Sequence, residues 1–324
     1  MKPLPLMTIS RPGRSDVNHS RKRFNSKLLL FGEYGVMVDA MALSIPFPKF
    51  SGTLDFDEDY SHHASTSEIR EFFEYLKIGV PGTRDQELHF PFNLESLEQD
   101  LNNGLYFNSN IPQQYGVGSS GALVAALFSQ YAMSSGSENL ATHELLKSDF
   151  ALLESYFHGK SSGIDPLISY LNEPLLLDSK KTIQTIQLEL SKTNLSIALI
   201  DTKTTGATGP LVEHFVDRFN SPEFAIAFER QFIPSNNGCI NSFISGNKVE
   251  FFSFMEQLIL FQLLHFRRMI PLDFHSLISN ALHDKVFIKL LGSGGGGFLL
   301  AFAESEPLLY AWAEKEGIQL FMVN

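Results

Sequence analysis

Two glycine-rich segments and two acids carry residue types that suit the handling of a phosphate group. The first segment, Gly116–Gly121 (Gly-Val-Gly-Ser-Ser-Gly), immediately precedes an apolar stretch that is typical of a buried helix. Small residues let a backbone close around a ligand, and the first N–H groups of a helix attract an anion. The hydroxyls of Ser119 and Ser120 suit a helix cap, a phosphate or Mg²⁺. Taken alone, the pattern fits an ordinary capped loop equally well.

The second segment, Gly292–Gly297, lies between two apolar stretches and ends in four consecutive glycines. Such a run loses much chain entropy on folding, so we expect it where a backbone approaches another group closely or adopts a positive φ. A flexible surface loop is the alternative, and the apolar flanks argue against it. Gly159-Lys160-Ser161 does not complete a P-loop, because that motif needs a glycine where Glu154 stands. We therefore exclude a P-loop NTPase.

Glu154 and Asp165 are the acids whose positions indicate chemistry. Glu154 falls near the end of a predicted apolar helix, where the helix dipole disfavours a carboxylate, so we expect a cation nearby. Asp165 is predicted in the following loop, with Pro166 favouring an extended backbone there. Phosphoryl transfer needs one acid for Mg²⁺, another for the hydroxyl proton, and a cation such as Lys27 to spread the charge. A turn aspartate and a solvated surface acid are the alternatives.

Strands and helices interleave along the chain without an internal repeat. The hydrophobic pattern predicts strands at Lys27–Phe31, Thr182–Leu190, Leu195–Ile200, Val286–Leu291 and Phe298–Phe302. It predicts helices at Glu68–Leu76, Leu94–Leu101, Gly121–Met133 and Asn139–Phe157, the last stopped by Gly159. From Glu213 to Lys285 the pattern is helical, with breaks predicted at Pro222, Pro234–Gly238, Gly246 and Pro271. Composition changes near residues 190–195, which favours a domain boundary there.

Composition excludes several classes of function. The 324 residues include 36 acidic and 25 basic side chains, a formal net charge of -11. A protein that binds duplex nucleic acid usually presents a basic face, so no nucleic-acid partner is expected. One cysteine, Cys239, excludes an internal disulfide, fits a reducing cytoplasm and is expected in the core. No apolar run reaches the roughly 18–20 residues that cross a bilayer, so no membrane partner is expected.

Residues 1–26 differ from the remainder because they hold six basic residues against one aspartate. They lack the apolar core of a secretory signal. We therefore expect a mobile basic leader on a cytoplasmic protein.

Three segments, in this order, resemble the three motifs of the GHMP small-molecule kinases. Lys27–Val36 resembles the first motif in the form found in mevalonate and phosphomevalonate kinases. Pro112–Ala122 resembles the second motif, a phosphate-binding loop, and Lys289–Gly297 resembles the third. The likeness extends from Lys27 to the end of the chain.

The resemblance implies an α+β fold of two domains, residues 27–192 and 193–324, with the active site in the cleft between them and ATP and Mg²⁺ as cofactors. By position, Asp165 resembles the catalytic base, and Lys27 would stabilise the developing alkoxide. Ser120 and Glu154 resemble the Mg²⁺ ligands. The nucleotide would contact Gly116, Gly118, Ser119, Ser120, Gly294 and Gly295, and the substrate would contact Glu33 and Thr208.

The acceptor implied by the resemblance is a small alcohol. Ser162–Asp165, with Glu154 eleven residues before the aspartate, looks most like the mevalonate kinase branch. The phosphomevalonate kinase branch is the alternative, and a catalytically inactive member that senses a ligand is a third reading. The chain departs from the family pattern at three positions. Gln114 stands where the family usually has glycine, Tyr115 where it has a small residue, and Leu291 where it has a hydroxyl residue. The family also allows a homodimer.

Overall fold

The structure, a computed structural model, describes residues 22–38, 40–57, 64–79, 88–133, 142–159, 161–180 and 182–323. Most of the basic leader predicted for residues 1–26 therefore lies outside the described residues. The strands are β1 (Phe24–Phe31), β2 (Ala42–Phe56), β3 (Leu105–Ser109), β4 (Leu175–Leu177), β5 (Ile183–Thr185), β6 (Ser196–Asp201), β7 (Phe287–Leu290), β8 (Phe298–Ala303) and β9 (Leu320–Met322).

Most of the helices fall in runs between the strands, as expected for an α+β fold. They are α1 (Ala64–Ile78), α2 (Leu94–Asn102), α3 (Ser119–Tyr131), α4 (His143–His158), α5 (Ile164–Leu171), α6 (Thr208–Phe219), α7 (Pro222–Ala227), α8 (Ile233–Ser245), α9 (Lys248–His265), α10 (Phe274–His283) and α11 (Glu306–Glu316). A π-helical turn, Phe228–Phe232, joins α7 to α8. None of the helices described has the length and apolar character needed to cross a membrane.

Helix α3 forms the centre of the first compact unit, which comprises the described residues among positions 22–27, 46–111 and 118–172. Nine of its 13 residues are buried, and it packs against α4 and α5. A helix that is apolar on all sides belongs in a core, and the predicted buried helix is confirmed. In the same unit the second half of β2 pairs antiparallel with β3.

The second compact unit, Leu28–Ile45, Pro112–Val117 and Glu173–Asn324, contains an antiparallel sheet in the order β7-β8-β6-β9. Strand β8 is buried at all six positions, which explains its continuous apolar sequence. Strand β4 pairs with the start of β2 and with β5. An aromatic cluster fills the helical layer, formed by Phe215, Phe224, Phe228, Phe232, Phe261 and Phe266. Each unit is assembled from three chain segments, and the boundary at residue 192 stays a prediction.

The predicted strands and helices are confirmed, with two corrections outside the site. The break predicted at Pro234–Gly238 is wrong, because both residues lie within α8. Pro234 stands in the first turn, where its missing N–H is not needed. A Cβ on Gly238 would lie 2.5 Å from Cγ of Phe254, so this glycine allows α8 and α9 to pack closely. The strand predicted at Thr182–Leu190 is too long. The observed strand, β5, has only three residues, because its partner β4 has three residues with which it can pair.

The start of α5 generates a stability prediction. Gly163 precedes the helix with a φ of +72°, and a Cβ there would lie 2.2 Å from the carbonyl oxygen of Lys147 in α4. We expect Gly163→Ala to lower the free energy of unfolding by more than the roughly 1–2 kcal/mol that a left-handed backbone costs other residues. Gly159 is the matched control, because it has the same φ of +72° with nothing within 4 Å. Urea unfolding of both variants measures the difference, and equal losses would contradict the packing argument.

Candidate active site

Two glycines let the N-terminus of α3 lie close to Lys27 and Asp165 in the first unit. Gly118, the residue before α3, has a φ of +80°, and a Cβ there would lie 2.9 Å from Cγ of Lys27. A Cβ on Gly121 would lie 2.8 Å from the carbonyl carbon of Asp165. Any larger side chain would displace the lysine or the aspartate. The glycines of the first predicted phosphate segment therefore bring Lys27 and Asp165 against the same helix end.

Lys27 and Asp165 form an ion pair, with Nζ 3.0 Å from Oδ2. The lysine side chain is 6% exposed and the aspartate side chain 34% exposed, so the carboxylate is the accessible partner. The extended backbone predicted at Asp165 is wrong, because α5 begins at Ile164 and Asp165 lies in its first turn. Pro166 is tolerated there, since the first-turn N–H groups of a helix have no partner within it. The dipole of α5 also favours a carboxylate at this end.

Glu154 presents a buried carboxyl group from α4 to the same region. Its residue is 3% exposed, and its oxygens accept hydrogen bonds from Ser120 Oγ at 3.4 Å and from the hydroxyl of Ser161. Burial, and then the charge of Asp165, raises the pKa of Glu154 to about 8. Lys27 opposes this shift, and it is the nearby cation that the position of Glu154 led us to expect.

The oxygen atoms around Glu154 suit Mg²⁺. Ser120 and Glu154 supply a hydroxyl and a carboxylate from adjacent helices, and hard oxygen ligands are those that Mg²⁺ prefers. Over the described residues no cluster of three or more histidine, cysteine or acidic side chains could hold a metal. Two protein ligands are nevertheless enough for Mg²⁺, which keeps several waters and binds substrate phosphates. The residues present therefore fit the ion.

The glycine run of the second unit interlocks with neighbouring backbone. Gly295 N donates to the Met269 carbonyl at 2.6 Å, and Gly297 N donates to the Thr204 carbonyl at 2.7 Å. Gly297 has a φ of +72°, and a Cβ there would lie 2.6 Å from Cα of Tyr115. The predicted close approach and positive φ are confirmed, and the alternative of a flexible surface loop is not.

Side chains of the second unit fix this run at two points. The Tyr34 hydroxyl donates to the Ser293 carbonyl at 2.6 Å. The Ser293 hydroxyl lies 3.0 Å from that of Thr208, the first residue of α6, which was predicted to contact substrate. Glu33, the other predicted substrate residue, is ion-paired with Lys289, and both side chains are 0% exposed. Glu33 therefore neutralises the buried ammonium of Lys289, and its contact with substrate stays a prediction.

Sequence reasoning did not anticipate the contacts of Ser161 in the first unit or of Tyr34 in the second. Ser161 stands beside the Gly159 helix stop, but its bond to Glu154 depends on how the chain leaves α4. Gln114, where the family usually has glycine, has a φ of +61°. A left-handed backbone is the conformation that glycine adopts most easily, which accounts for the family preference at this position.

The raised pKa of Glu154 predicts how stability depends on pH in metal-free buffer. The ordinary pKa is 4.5 and the folded value about 8, so between them the folded state holds a proton that the unfolded state has lost. Stability contributed by this group is therefore lost as pH rises, by at most about 1.4 kcal/mol per pH unit. Glu154→Gln should remove this slope. Denaturant unfolding of both proteins at pH 5, 6, 7 and 8 measures it, and parallel curves would contradict the burial of an ionisable carboxyl.

Comparison with known proteins gives one family model that matches part of the chain, and solved structures with a similar fold. Residues 89–173 match the family model described as GHMP kinases N terminal domain. The fold is similar to that of L. major mevalonate kinase in complex with R-mevalonate, with a TM-score of 0.63 and 17% identity over 98% of this chain and 99% of that one. Among curated protein sequences, none matches.

Two further solved structures resemble the chain. Streptococcus pneumoniae phosphomevalonate kinase in complex with phosphomevalonate and AMPPNP has a TM-score of 0.61 and 16% identity, over 94% of this chain and 100% of that one. Lactococcus lactis galactokinase complexed with galactose has a TM-score of 0.57 and 14% identity, over 94% of this chain and 93% of that one. The chain therefore has the GHMP kinase fold, and its residues 89–173 match the model of the N-terminal domain of that family.

Proposed function

We propose that this chain is an ATP- and Mg²⁺-dependent kinase that transfers the γ-phosphate to a hydroxyl of a small alcohol, most simply mevalonate. One observation carries the proposal: the Lys27–Asp165 ion pair lies beside the buried Ser120–Glu154 pair. A half-exposed carboxylate next to a buried ammonium suits proton transfer. A hydroxyl and carboxyl pair suits a metal that accompanies phosphate.

Asp165 is the general base in this proposal. A primary alcohol is a poor nucleophile, and a positioned carboxylate contributes roughly 10²–10⁴-fold by accepting its proton. The alcohol oxygen then bonds to the γ-phosphorus as the bond to the bridging oxygen of ADP breaks. Lys27, whose Nζ lies 3.0 Å from Oδ2 of Asp165, stabilises the negative charge on the reacting oxygen. Bound Mg²⁺ would neutralise phosphate charge, with Ser120 and Glu154 as its protein ligands.

The glycine-rich segments are assigned to the nucleotide. Gly118 provides no side-chain cap for α3, which leaves the first turn suited to an anion. Gly116 and Ser119 belong to the same segment as Ser120. Gly294 and Gly295 belong to the second glycine run, whose backbone is fixed by hydrogen bonds. Together these residues are proposed to contact ATP.

The acceptor is assigned by resemblance and by chemistry. The L. major neighbour binds R-mevalonate, and the Ser162–Asp165 segment resembles the mevalonate kinase branch. Thr208, whose hydroxyl is exposed at the start of α6, is proposed to contact the acceptor. Phosphomevalonate is the second candidate, because the Gly32–Gly35 turn also has the form found in phosphomevalonate kinases. The two domains implied by the motifs, residues 27–192 and 193–324, belong to the same proposal.

A coupled assay of ADP release tests the acceptor. With ATP and Mg²⁺ present, we expect turnover with mevalonate and little with phosphomevalonate or galactose. Turnover with phosphomevalonate instead would move the assignment to the second candidate. Tight ATP binding without turnover on any acceptor would favour an inactive ligand-sensing protein.

Replacing the base gives the sharpest test of the mechanism. Asp165→Asn is nearly isosteric, so we expect nucleotide affinity within a few-fold of the parent and kcat lower by about two orders of magnitude or more. Asp284→Asn is the matched control, because Asp284 is 37% exposed and pairs with Lys315 at 2.7 Å. Both variants lose one carboxylate charge and one ion pair. If Asp165→Asn retains turnover as Asp284→Asn does, Asp165 is not the base.

A further inference from the structure

Two side-chain contacts join the Gly32–Gly35 turn to the glycine run and to β7 before it, and the proposed chemistry uses neither. The Tyr34 hydroxyl donates to the Ser293 carbonyl at 2.6 Å. Lys289, at the end of β7, donates to Glu33, and the backbone N–H of Leu290 donates to a buried glutamine in α9. All of these residues belong to the second unit. The turn is therefore bonded both to the strand that leads into the run and to the run itself.

Tyr34 is held firmly for this contact. Its φ of +59° lies in the left-handed region, which a non-glycine residue keeps only where the surroundings determine it. The residue is 5% exposed, and its ring stacks on Phe215 at 4.8 Å and packs against Phe266 at 5.1 Å. Burial and the charge of Glu33 raise the pKa of Tyr34, so the hydroxyl stays protonated and remains a donor.

The contact falls in a segment that has much conformational freedom before folding. Ser293 is the second residue of a six-residue run whose other five positions are glycine. Glycines lose more conformational freedom on folding than other residues, so this bond, together with the backbone bonds of Gly295 and Gly297, restricts the run to fewer conformations. The Ser293 hydroxyl also lies 3.0 Å from that of Thr208, so the same bond fixes a neighbour of the proposed acceptor residue.

We infer that Tyr34 is a positioning residue: its hydroxyl holds the Ser293 carbonyl and thereby sets the conformation of Gly292–Gly297. The consequence for nucleotide affinity rests on the proposed function, which assigns this run to ATP. The consequence for the run itself does not, because the hydrogen bond joins two residues of this chain and involves no ligand atom.

The experiment compares Tyr34→Phe with Tyr131→Phe in the full chain. Tyr131 is the matched control, because it is 1% exposed and its hydroxyl donates to Asp100 at 2.8 Å in the first unit. Each variant keeps its ring and loses one buried hydroxyl. Amide hydrogen exchange over residues 291–298 is measured without ligand, where the amides of Gly295 and Gly297 report opening of the run. Calorimetry then gives the affinity for a non-hydrolysable ATP analogue with Mg²⁺.

We expect Tyr34→Phe to speed exchange in the run and to weaken nucleotide binding, each by about threefold to tenfold, the range of one hydrogen bond. Tyr131→Phe should change neither, although both variants lower Tm. Replacement of Tyr34 by 4-aminophenylalanine, which keeps a donor on the ring, should restore both values.

Unchanged exchange in Tyr34→Phe would overturn the inference whether or not nucleotide binds. Faster exchange with unchanged affinity would overturn the link to the nucleotide. If the amides of the run are protected from exchange in the parent protein but the protein binds no ATP analogue, the proposed function is overturned. The exchange rates of Tyr34→Phe would still test the role of Tyr34.

Discussion

The candidate site depends on a charge imbalance around one buried ammonium. Lys27 is 6% exposed, and burying an ammonium without a partner is costly, so Asp165 pairs with it. Glu154 is a second carboxyl in the same field, and one lysine does not balance two negative charges. The raised pKa of Glu154 expresses this imbalance, because the group keeps its proton when no other cation is present. Such a site has a physical reason to bind a divalent cation.

Close backbone approach is the second constraint, and both compact units satisfy it with glycine. In the first unit, Gly118 and Gly121 leave room for Lys27 and Asp165. In the second, a Cβ on Gly294 would lie 2.3 Å from the Met269 carbonyl oxygen. The glycines therefore do more than form an anion-binding loop. They allow charged side chains and neighbouring backbone to lie at short range.

Sequence patterns predicted the features that are local in the chain. The buried helix α3, the positive φ of the glycine run and the strands β7 and β8 each follow from residues close to one another in sequence. Asp165 was misplaced because a proline rule for the preceding residue competes with the tolerance of the first helical turn for proline. The Lys289–Glu33 and Tyr34–Ser293 contacts join residues 256 and 259 positions apart. No local pattern pairs such residues, so only the fold reveals them.

The chain shares its fold with neighbours at 14–17% identity. Residues that differ from the family motifs are accommodated by their immediate surroundings. Gln114 adopts the left-handed backbone that glycine would adopt, and Tyr115 packs its ring 5.0 Å from that of Phe298. In the proposed function, a phosphate loop and a charge pair do not by themselves distinguish one alcohol from another. Discrimination between acceptors would then come from other side chains, and the exposed hydroxyl of Thr208 at the start of α6 is the one that we propose for this role.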